Sequence, residues 1–305
     1  MRAGEMESWG RYPRAMQAVQ PVRWRTDLLP FDARPVLPRG QGRSYGDSCL
    51  NDGGVLLTTE GLDRFIYFDE VAGLLRCEAG VTLGSILDLT VPRGWFLPVL
   101  PGTQHVSVGG AIANDIHGKN HHRAGTFGCH VERLELVRSD GERRLLTPGE
   151  PLFAATVGGL GLTGLITWAE LRLKRVPGPC VRTEAIAFDD LARFEELTRE
   201  SDSKWEYTVA WIDCLARVPG RGVFFRGEHA EGAARPRSRR LTVPIDLPSF
   251  ALNSLTVREA SGALYAAKDA TMSRATFLQS APRLAEFAPF IDPAFSSSFW
   301  RRVNS

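Results

Sequence analysis

Residues 101–128 read PGTQHVSVGGAIANDIHGKNHHRAGTFG, and an earlier stretch, residues 38–51, reads PRGQGRSYGDSCLN. Across the two, Gly40, Gly42, Gly46, Gly102, Gly109, Gly110, Gly118, Gly125 and Gly128 are spaced by small or polar residues. Glycine at that density marks backbone that takes positive φ or lies against a ligand with no side chain between them. Two such loops imply a chain that wraps something large, polar and phosphorylated.

Each loop offers its own chemistry. The first follows the apolar run Pro35-Val36-Leu37, so its amides can point at an anion from the end of a strand and form a nest for phosphate oxygens. Arg43 adds a charge-assisted donor. Taken alone, the loop also fits a plain surface turn. It lacks the Gly-Lys-Ser/Thr ending of a P-loop, and Gly40, Gly42 and Gly46 do not follow Gly-x-Gly-x-x-Gly spacing. In the second loop, Ser107-Val108-Gly109-Gly110-Ala111 lets a helix start approach a pyrophosphate. His117, Lys119, His121 and His122 follow closely. Gly118 and Asn120 argue against a helix at this point, and no nearby cysteine or glutamate completes a metal shell, so no metal is expected. His121 and His122 read as structural, His117 and Lys119 as lining a reactive cavity. A third cluster, Thr156-Val157-Gly158-Gly159-Leu160-Gly161-Leu162-Thr163-Gly164, precedes a strand; it fits either backbone passing close to a ligand or a bulge.

Composition narrows the class. Hydrophobic residues make up 43% and charged residues 24% of the 305 positions, an ordinary globular profile with room for two cores, or one core and a smaller lobe. A net charge of +2 argues against wholesale nucleic-acid binding. No run approaches the roughly 20 apolar residues of a membrane span. The opening MRAGEMESWGRYPRA carries two glutamates and no apolar signal core. A cytoplasmic setting is therefore expected, with peripheral contact to the inner membrane surface left open. The five cysteines (Cys49, Cys77, Cys129, Cys180, Cys214) are scattered and odd in number, which argues for buried apolar filling rather than a disulfide framework.

Along the chain, 55–59, 65–68 and 74–79 read as strands, the latter two joined by a tight turn at 69–73. The stretch 82–92 reads as a short helix capped by Thr82, and 131–138 with 143–147 as a hairpin closed by Ser139-Asp140-Gly141. A helical turn at 152–157 and a strand at 164–174 complete an α+β pattern with no regular βαβ alternation. A boundary falls at Val176-Pro177-Gly178-Pro179. Beyond it lie a mixed segment, a basic run (Arg235, Arg237, Arg239, Arg240) suited to a solvated loop or an anionic patch, and a final helical region from Met272.

Together, PRGQGRSYGD, PGTQHVSVGGAIANDIHGKNHH, AGTFG and ATVGGLGLTGLIT resemble the FAD-binding domain of the vanillyl-alcohol-oxidase superfamily, the p-cresol methylhydroxylase (PCMH) type. More narrowly, HGKNHH resembles the decaprenylphosphoryl-β-D-ribose oxidases of actinobacterial arabinan cell-wall synthesis. The likeness runs from about Trp24 to Arg175 and resumes at SGALYAAKD, residues 261–269. It implies a two-lobed fold, with a flavin lobe from residues 1–178 and a returning tail, 261–305. Between them, 179–260 would be a shortened substrate lobe.

The resemblance also implies roles for individual residues. Arg39, Gly40, Gln41, Gly42, Arg43, Ser44, Tyr45, Gly46 and Asp47 would hold FAD from the first loop. Gly102, Ser107, Val108, Gly109, Gly110, Asn114, Asp115, Ile116 and His117 would hold it from the second, with Ile166 and Tyr265 completing the set. Related flavoproteins tether the flavin to a histidine where this chain reads Tyr45-Gly46-Asp47-Ser48, so non-covalent FAD is expected. The implied reaction is oxidation of a sugar secondary alcohol on a polyprenyl-phosphoryl sugar. Lys268, desolvated among apolar neighbours and with a lowered pKa, would share the base role with Tyr45 or His117; without the resemblance it reads as an exposed helix-start lysine. A NADH-dependent short-chain reductase acting on the keto product is the implied partner. Two other readings stand beside this one: an aldonolactone oxidase such as D-arabinono-1,4-lactone oxidase, and a flavin-binding remnant without catalysis.

Overall fold

The computed structural model describes residues 2–4, 6–31, 34–213, 220–232 and 263–304. Near the N-terminus, β1 (Arg2–Gly4), β2 (Gln17–Pro21), β3 (Val36–Arg39) and β4 (Val55–Thr58) form one sheet in the order β1-β2-β4-β3. The β2–β4 and β3–β4 pairs are parallel. Parallel strands need cover on both faces, and the apolar run of β4 supplies it: Val55, Leu56 and Leu57 have no exposed surface. The first glycine loop is the crossover leaving β3, so its start is pinned to the edge of a buried strand.

The second sheet is antiparallel. It contains β5 (Phe65–Asp69), β6 (Leu74–Glu78), β8 (Val131–Val137), β9 (Arg143–Leu146) and β10 (Leu165–Arg172), in the order β5-β6-β10-β8-β9. Gly73 at φ 67 closes the β5–β6 turn, and β8 pairs with β9 across the Asp140-Gly141 turn. Helix α1 (Leu83–Thr90) begins where Thr82 accepts a hydrogen bond from the Ser85 amide. Leu83 and Ile86 of α1 and Val108, Ala111 and Ile112 of α2 (Val108–Ala113) join the core of this sheet. A two-stranded ribbon pairs β7 (Trp95–Phe96) with β11 (Lys174–Arg175).

Two short helices, α3 (His121–Ala124) and α4 (Pro151–Thr156), flank β8 and β9. The first agrees with the expectation that Gly118 and Asn120 keep His117 and His121 off one helix: His117 forms a β-bridge with Thr126, and the helix begins only at His121. Asn120 lies just before the turn, and its carbonyl accepts from the Arg123 and Ala124 amides, so these residues precede the helix rather than interrupt it. The cysteines also depart from expectation: Cys77 is buried, Cys49 and Cys180 are partly exposed, and Cys129 is exposed.

A third sheet, β12 (Cys180–Phe188), β14 (Gly222–Ala230) and β13 (Tyr207–Ile212), begins just past the Pro/Gly boundary. One helix, α5 (Leu191–Asp202), packs on it through Leu197 against Phe188 and Phe224. Its cover is thin: Val181, Trp211 and Ile212 stay exposed. The basic run at Arg235, Arg237, Arg239 and Arg240, the 252–262 stretch and Cys214 lie outside the described residues.

The tail returns to the first sheet. The Val36 amide donates to the Ala294 carbonyl at 2.8 Å, and the Ser296 amide donates to the Val36 carbonyl at 2.9 Å. Phe295 is thereby buried among Val36, Val55, Leu57 and Leu62, a contact stabilising by about 2 kcal/mol. No helix among the described residues is long and apolar enough to cross a membrane.

Candidate functional site

The three glycine clusters, the tail and β13 converge on one cavity of about 890 Å³. Its floor begins at Arg39, the last residue of β3, whose guanidinium donates to the Glu7 carbonyl at 2.9 Å. Gly42, at φ 62, folds over that guanidinium; a Cβ there would lie 2.1 Å from Arg39 Nη2. A Cβ on Gly40 would fall 2.1 Å from Ser107 Oγ, so the first and second loops interlock. Ser107 in turn caps α2, accepting from the Gly110 amide at 3.3 Å. Absent side chains on these glycines let the backbone itself form the cavity wall.

Gly102, Asn114, Ile116 and His117 also line the cavity, as do Gln41, Ser44, Gly109 and Gly110. The third cluster contributes Leu160, Gly161 and Gly164, and Ile166 follows at the start of β10. The β10–β8 register shifts just beyond this cluster, between Ile166 and Trp168.

Four expected cofactor residues lie behind the lining instead. Gly46 packs against the backbone of Asp269 and Ala270. Asp47 pairs with Arg302 at 2.8 and 2.9 Å. Val108 is fully buried in the core. Asp115, at φ 41, accepts from the Gly128 amide at 2.9 Å. Each braces a lining segment from the core side.

His117, Tyr45 and Lys268 meet in this cavity from three distant parts of the chain. The Tyr45 amide donates to the Ala267 carbonyl at 2.8 Å, locking the first loop to the tail. Lys268 Nζ then sits 4.3 Å above the Tyr45 ring, a cation–π contact. Lys268 is exposed rather than desolvated. The His117 ring lies 5.5 Å from the Tyr265 ring and 6.0 Å from that of His121.

Electrostatics separate the roles of these groups. His117 is exposed at the cavity, yet partial desolvation, and then the charges of His121, Lys119 and Lys268, hold it below the usual imidazole range. The ring is therefore neutral and able to accept a proton at neutral pH. Burial, aided by Asp115, pushes the Tyr265 phenol up, and its hydroxyl donates to the Asn114 carbonyl at 2.6 Å. Burial pushes the cavity-lining Cys49 up to about 11, so it stays a thiol.

Sequence reasoning missed Trp9, Ser48 and Cys49, together with Val209 and Ala210 of the third sheet. Trp9 stacks 5.2 Å from the Arg43 guanidinium. Ser48 and Cys49 end the first glycine loop and were within reach of that signal, whereas Trp9, Val209 and Ala210 reach the cavity only through packing. Among the described residues, no group of His, Cys, Asp or Glu is arranged to hold a metal ion.

Residues 29–147 match the family model described as FAD binding domain. The decaprenylphosphoryl-β-D-ribose oxidase of Mycolicibacterium smegmatis is 41% identical over 220 residues, 69% of this chain and 47% of that protein. An alditol oxidase of a Streptomyces species is 31% identical over 121 residues, 40% of this chain and 29% of that protein. A Neurospora crassa protein provisionally named a D-arabinono-1,4-lactone oxidase is 28% identical over 202 residues, 65% of this chain and 35% of that protein. The chain thus spans about half the length of these relatives, or less.

The cavity suits FAD by its own chemistry. Arg39 Nε, Ser48 Oγ and Asn114 Oδ1 belong to cavity-lining residues, are buried, and have no hydrogen-bond partner within the protein. Buried polar atoms left in this state are costly unless a ligand completes them. Arg39, Arg43, Lys119 and Lys268 line the cavity, and no aspartate or glutamate does among the described residues. That balance favours a diphosphate.

Proposed function

From the premise that residues 29–147 belong to the FAD binding domain family, we propose that the chain is an FAD-dependent oxidoreductase of a sugar secondary alcohol. The substrate class is decaprenylphosphoryl-β-D-ribose or a similar polyprenyl-phosphoryl pentose, oxidised at the 2-hydroxyl. The observation that carries this reading is the meeting of His117, Tyr45 and Lys268 in one cavity without carboxylates among the described residues. The 41% identity to the M. smegmatis oxidase supports it.

In this reading the flavin lobe comprises residues 1–178 and 261–305, with a shortened substrate lobe at 179–260. The tail contacts at Tyr45, Asp47 and Val36 support that division. FAD is held without a covalent link, since Asp47 stands where related proteins carry the tethering histidine. Arg39 and Arg43 would hold the diphosphate, and Ser48 and Asn114 would donate or accept at the sites they leave open. Gly40, Gly42, Gly109 and Gly110 let main chain approach the cofactor. Gln41, Ser44, Gly102, Ser107, Ile116, Ile166 and Tyr265 complete the contact, braced by Gly46, Asp47, Val108 and Asp115.

Bound FAD supplies the two-electron oxidant. Proton handling falls to side chains. The neutral His117 imidazole accepts the substrate hydroxyl proton, while the Lys268 ammonium stabilises the developing alkoxide. Tyr45, fixed through its amide to Ala267, orients Lys268. Val209, Ala210 and Trp211 cover the substrate side and reduce its water content. The 2-keto product would pass to a NADH-dependent short-chain reductase. A lipid-phosphate substrate implies peripheral contact with the inner membrane surface.

Flavin binding without turnover is the second reading, favoured by the thin third sheet with Trp211 and Ile212 exposed. D-Arabinono-1,4-lactone is the less favoured substrate, as the related Neurospora protein is only 28% identical. Purified protein is expected to be yellow and to release its flavin on unfolding. Anaerobic addition of decaprenylphosphoryl-β-D-ribose should bleach it, and the lactone should not. Bleaching by the lactone alone would replace the substrate. A yellow protein that neither compound bleaches would leave the second reading standing.

A further inference from the structure

The third sheet meets the flavin lobe through a polar cluster that the reaction itself does not use. Asn120, the fourth residue of HGKNHH, is fully buried. Its Nδ2 donates to the Pro98 carbonyl at 2.8 Å and to Glu206 Oε1 at 3.2 Å. Reversing the amide would set its oxygen against two acceptors, so both neighbours dictate one orientation. The other carboxylate oxygen, Glu206 Oε2, pairs with Lys174 of β11. Two residues on, the Thr208 amide donates to the Lys119 carbonyl at 3.0 Å. From the other side, Arg226 of β14 stacks 4.9 Å from Trp205, steadying the approach to Glu206.

The spacing of these contacts is the informative point. Residues 206–208 grip the flavin lobe, and Val209, Ala210 and Trp211 immediately after them line the cavity. Lys119 and Asn120 are gripped, and His117, Gly118 and Lys119 line the same cavity. One short clamp therefore sets the distance between the His117–Lys119 wall and the β13 wall. A charge-assisted hydrogen bond in a partly buried site is strong enough to do this where a lone surface pair is not.

We infer that Glu206 is a positioning residue, which with Asn120 and Lys174 clamps β13 to the HGKNHH segment and fixes the substrate side of the cavity. The reactive part of this inference rests on the oxidase reading; the clamp itself does not.

Three variants of the full-length, flavin-loaded protein test it: Glu206→Ala, Glu206→Gln and Lys174→Met. Flavin content and the oxidised absorbance bands should match wild type in all three, because the clamp touches no expected cofactor contact. Hydrogen–deuterium exchange of peptides covering 117–122 and 206–210 should quicken about tenfold in Glu206→Ala, the scale of a lost charge-assisted bond. Glu206→Gln, which still accepts from Asn120, should recover most of that protection. With decaprenylphosphoryl-β-D-ribose as probe, KM should rise about tenfold in Glu206→Ala and return to within about threefold in Glu206→Gln.

Unchanged exchange at both peptides in Glu206→Ala would overturn the clamp. So would exchange that quickens throughout the chain together with flavin loss, since that marks general destabilisation. Local quickening with an unchanged KM would overturn the positioning role. If wild-type protein is never bleached by the probe, the oxidase reading fails, while the exchange data still decide the clamp.

Discussion

Gly40 has no room for a side chain, because a Cβ would press on Ser107 Oγ and through it on the cap of α2. Overpacking of this kind costs about 1–3 kcal/mol. Gly40→Ala is therefore expected to weaken flavin binding roughly tenfold or more; the flavin-to-protein absorbance ratio after purification measures it, and full occupancy would refute it. His117 carries a second residue-scale prediction. Its pKa is depressed below the unfolded value of about 6.5, chiefly by partial desolvation. Its neutral form then contributes stability that is present above about pH 6.5 and is lost as pH falls through the lower folded value. The same depression keeps the base form available, so flavin reduction by substrate should persist below pH 6.5 before it declines. A stopped-flow pH profile checks this. An acidic limb centred above pH 6.5, or one unaltered in His117→Gln, would exclude His117 as the base.

At the scale of elements, caps and turns do the local work. Thr82 caps α1 through its side chain, while its backbone bridges Ser107 at the start of α2. Thr82→Ala should cost about 1 kcal/mol, or roughly 2 °C in melting temperature for a chain of this size, with Thr82→Ser close to wild type by calorimetry. Equal melting of all three proteins would show the cap to be dispensable. Thr82 and the Asp140-Gly141 turn were legible from the residues alone, because each acts within a few positions of itself. The helix at His121–Ala124 was not. Asn120 sits at its start with a side chain fixed by Pro98 and Glu206, partners 22 and 86 positions away.

Across the whole molecule, the Asp47–Arg302 ion pair ties the first glycine loop to the tail. Asp47 is 2% exposed on its side chain and is held by Arg302, 255 positions away. Removing the arginine strands a buried carboxylate, which costs about 3 kcal/mol. Arg302→Met should therefore melt several degrees lower and lose flavin more readily, since Asp47 anchors the loop that carries Gly40 and Tyr45. Asp47→Asn in the same background should recover part of the loss by removing the stranded charge. No recovery in the thermal melt would mean that the pair matters only through packing.

By itself, the order of residues marked Gly40, Gly42, Gly109 and Gly110 as places where bare backbone forms a surface, and all four line the cavity. Missing side chains act on their immediate surroundings, so their effect can be read locally. The α+β character was readable for the same reason, from alternation and turn chemistry over short windows. Only the tertiary structure decided that Asp47, Val108 and Asp115 brace the cavity rather than line it, and that Trp9 and Val209 reach it. It likewise brought Lys268 over Tyr45 and Glu206 to Asn120. Such meetings depend on how strands far apart in the chain share one buried face, and spacing along the chain carries no record of that.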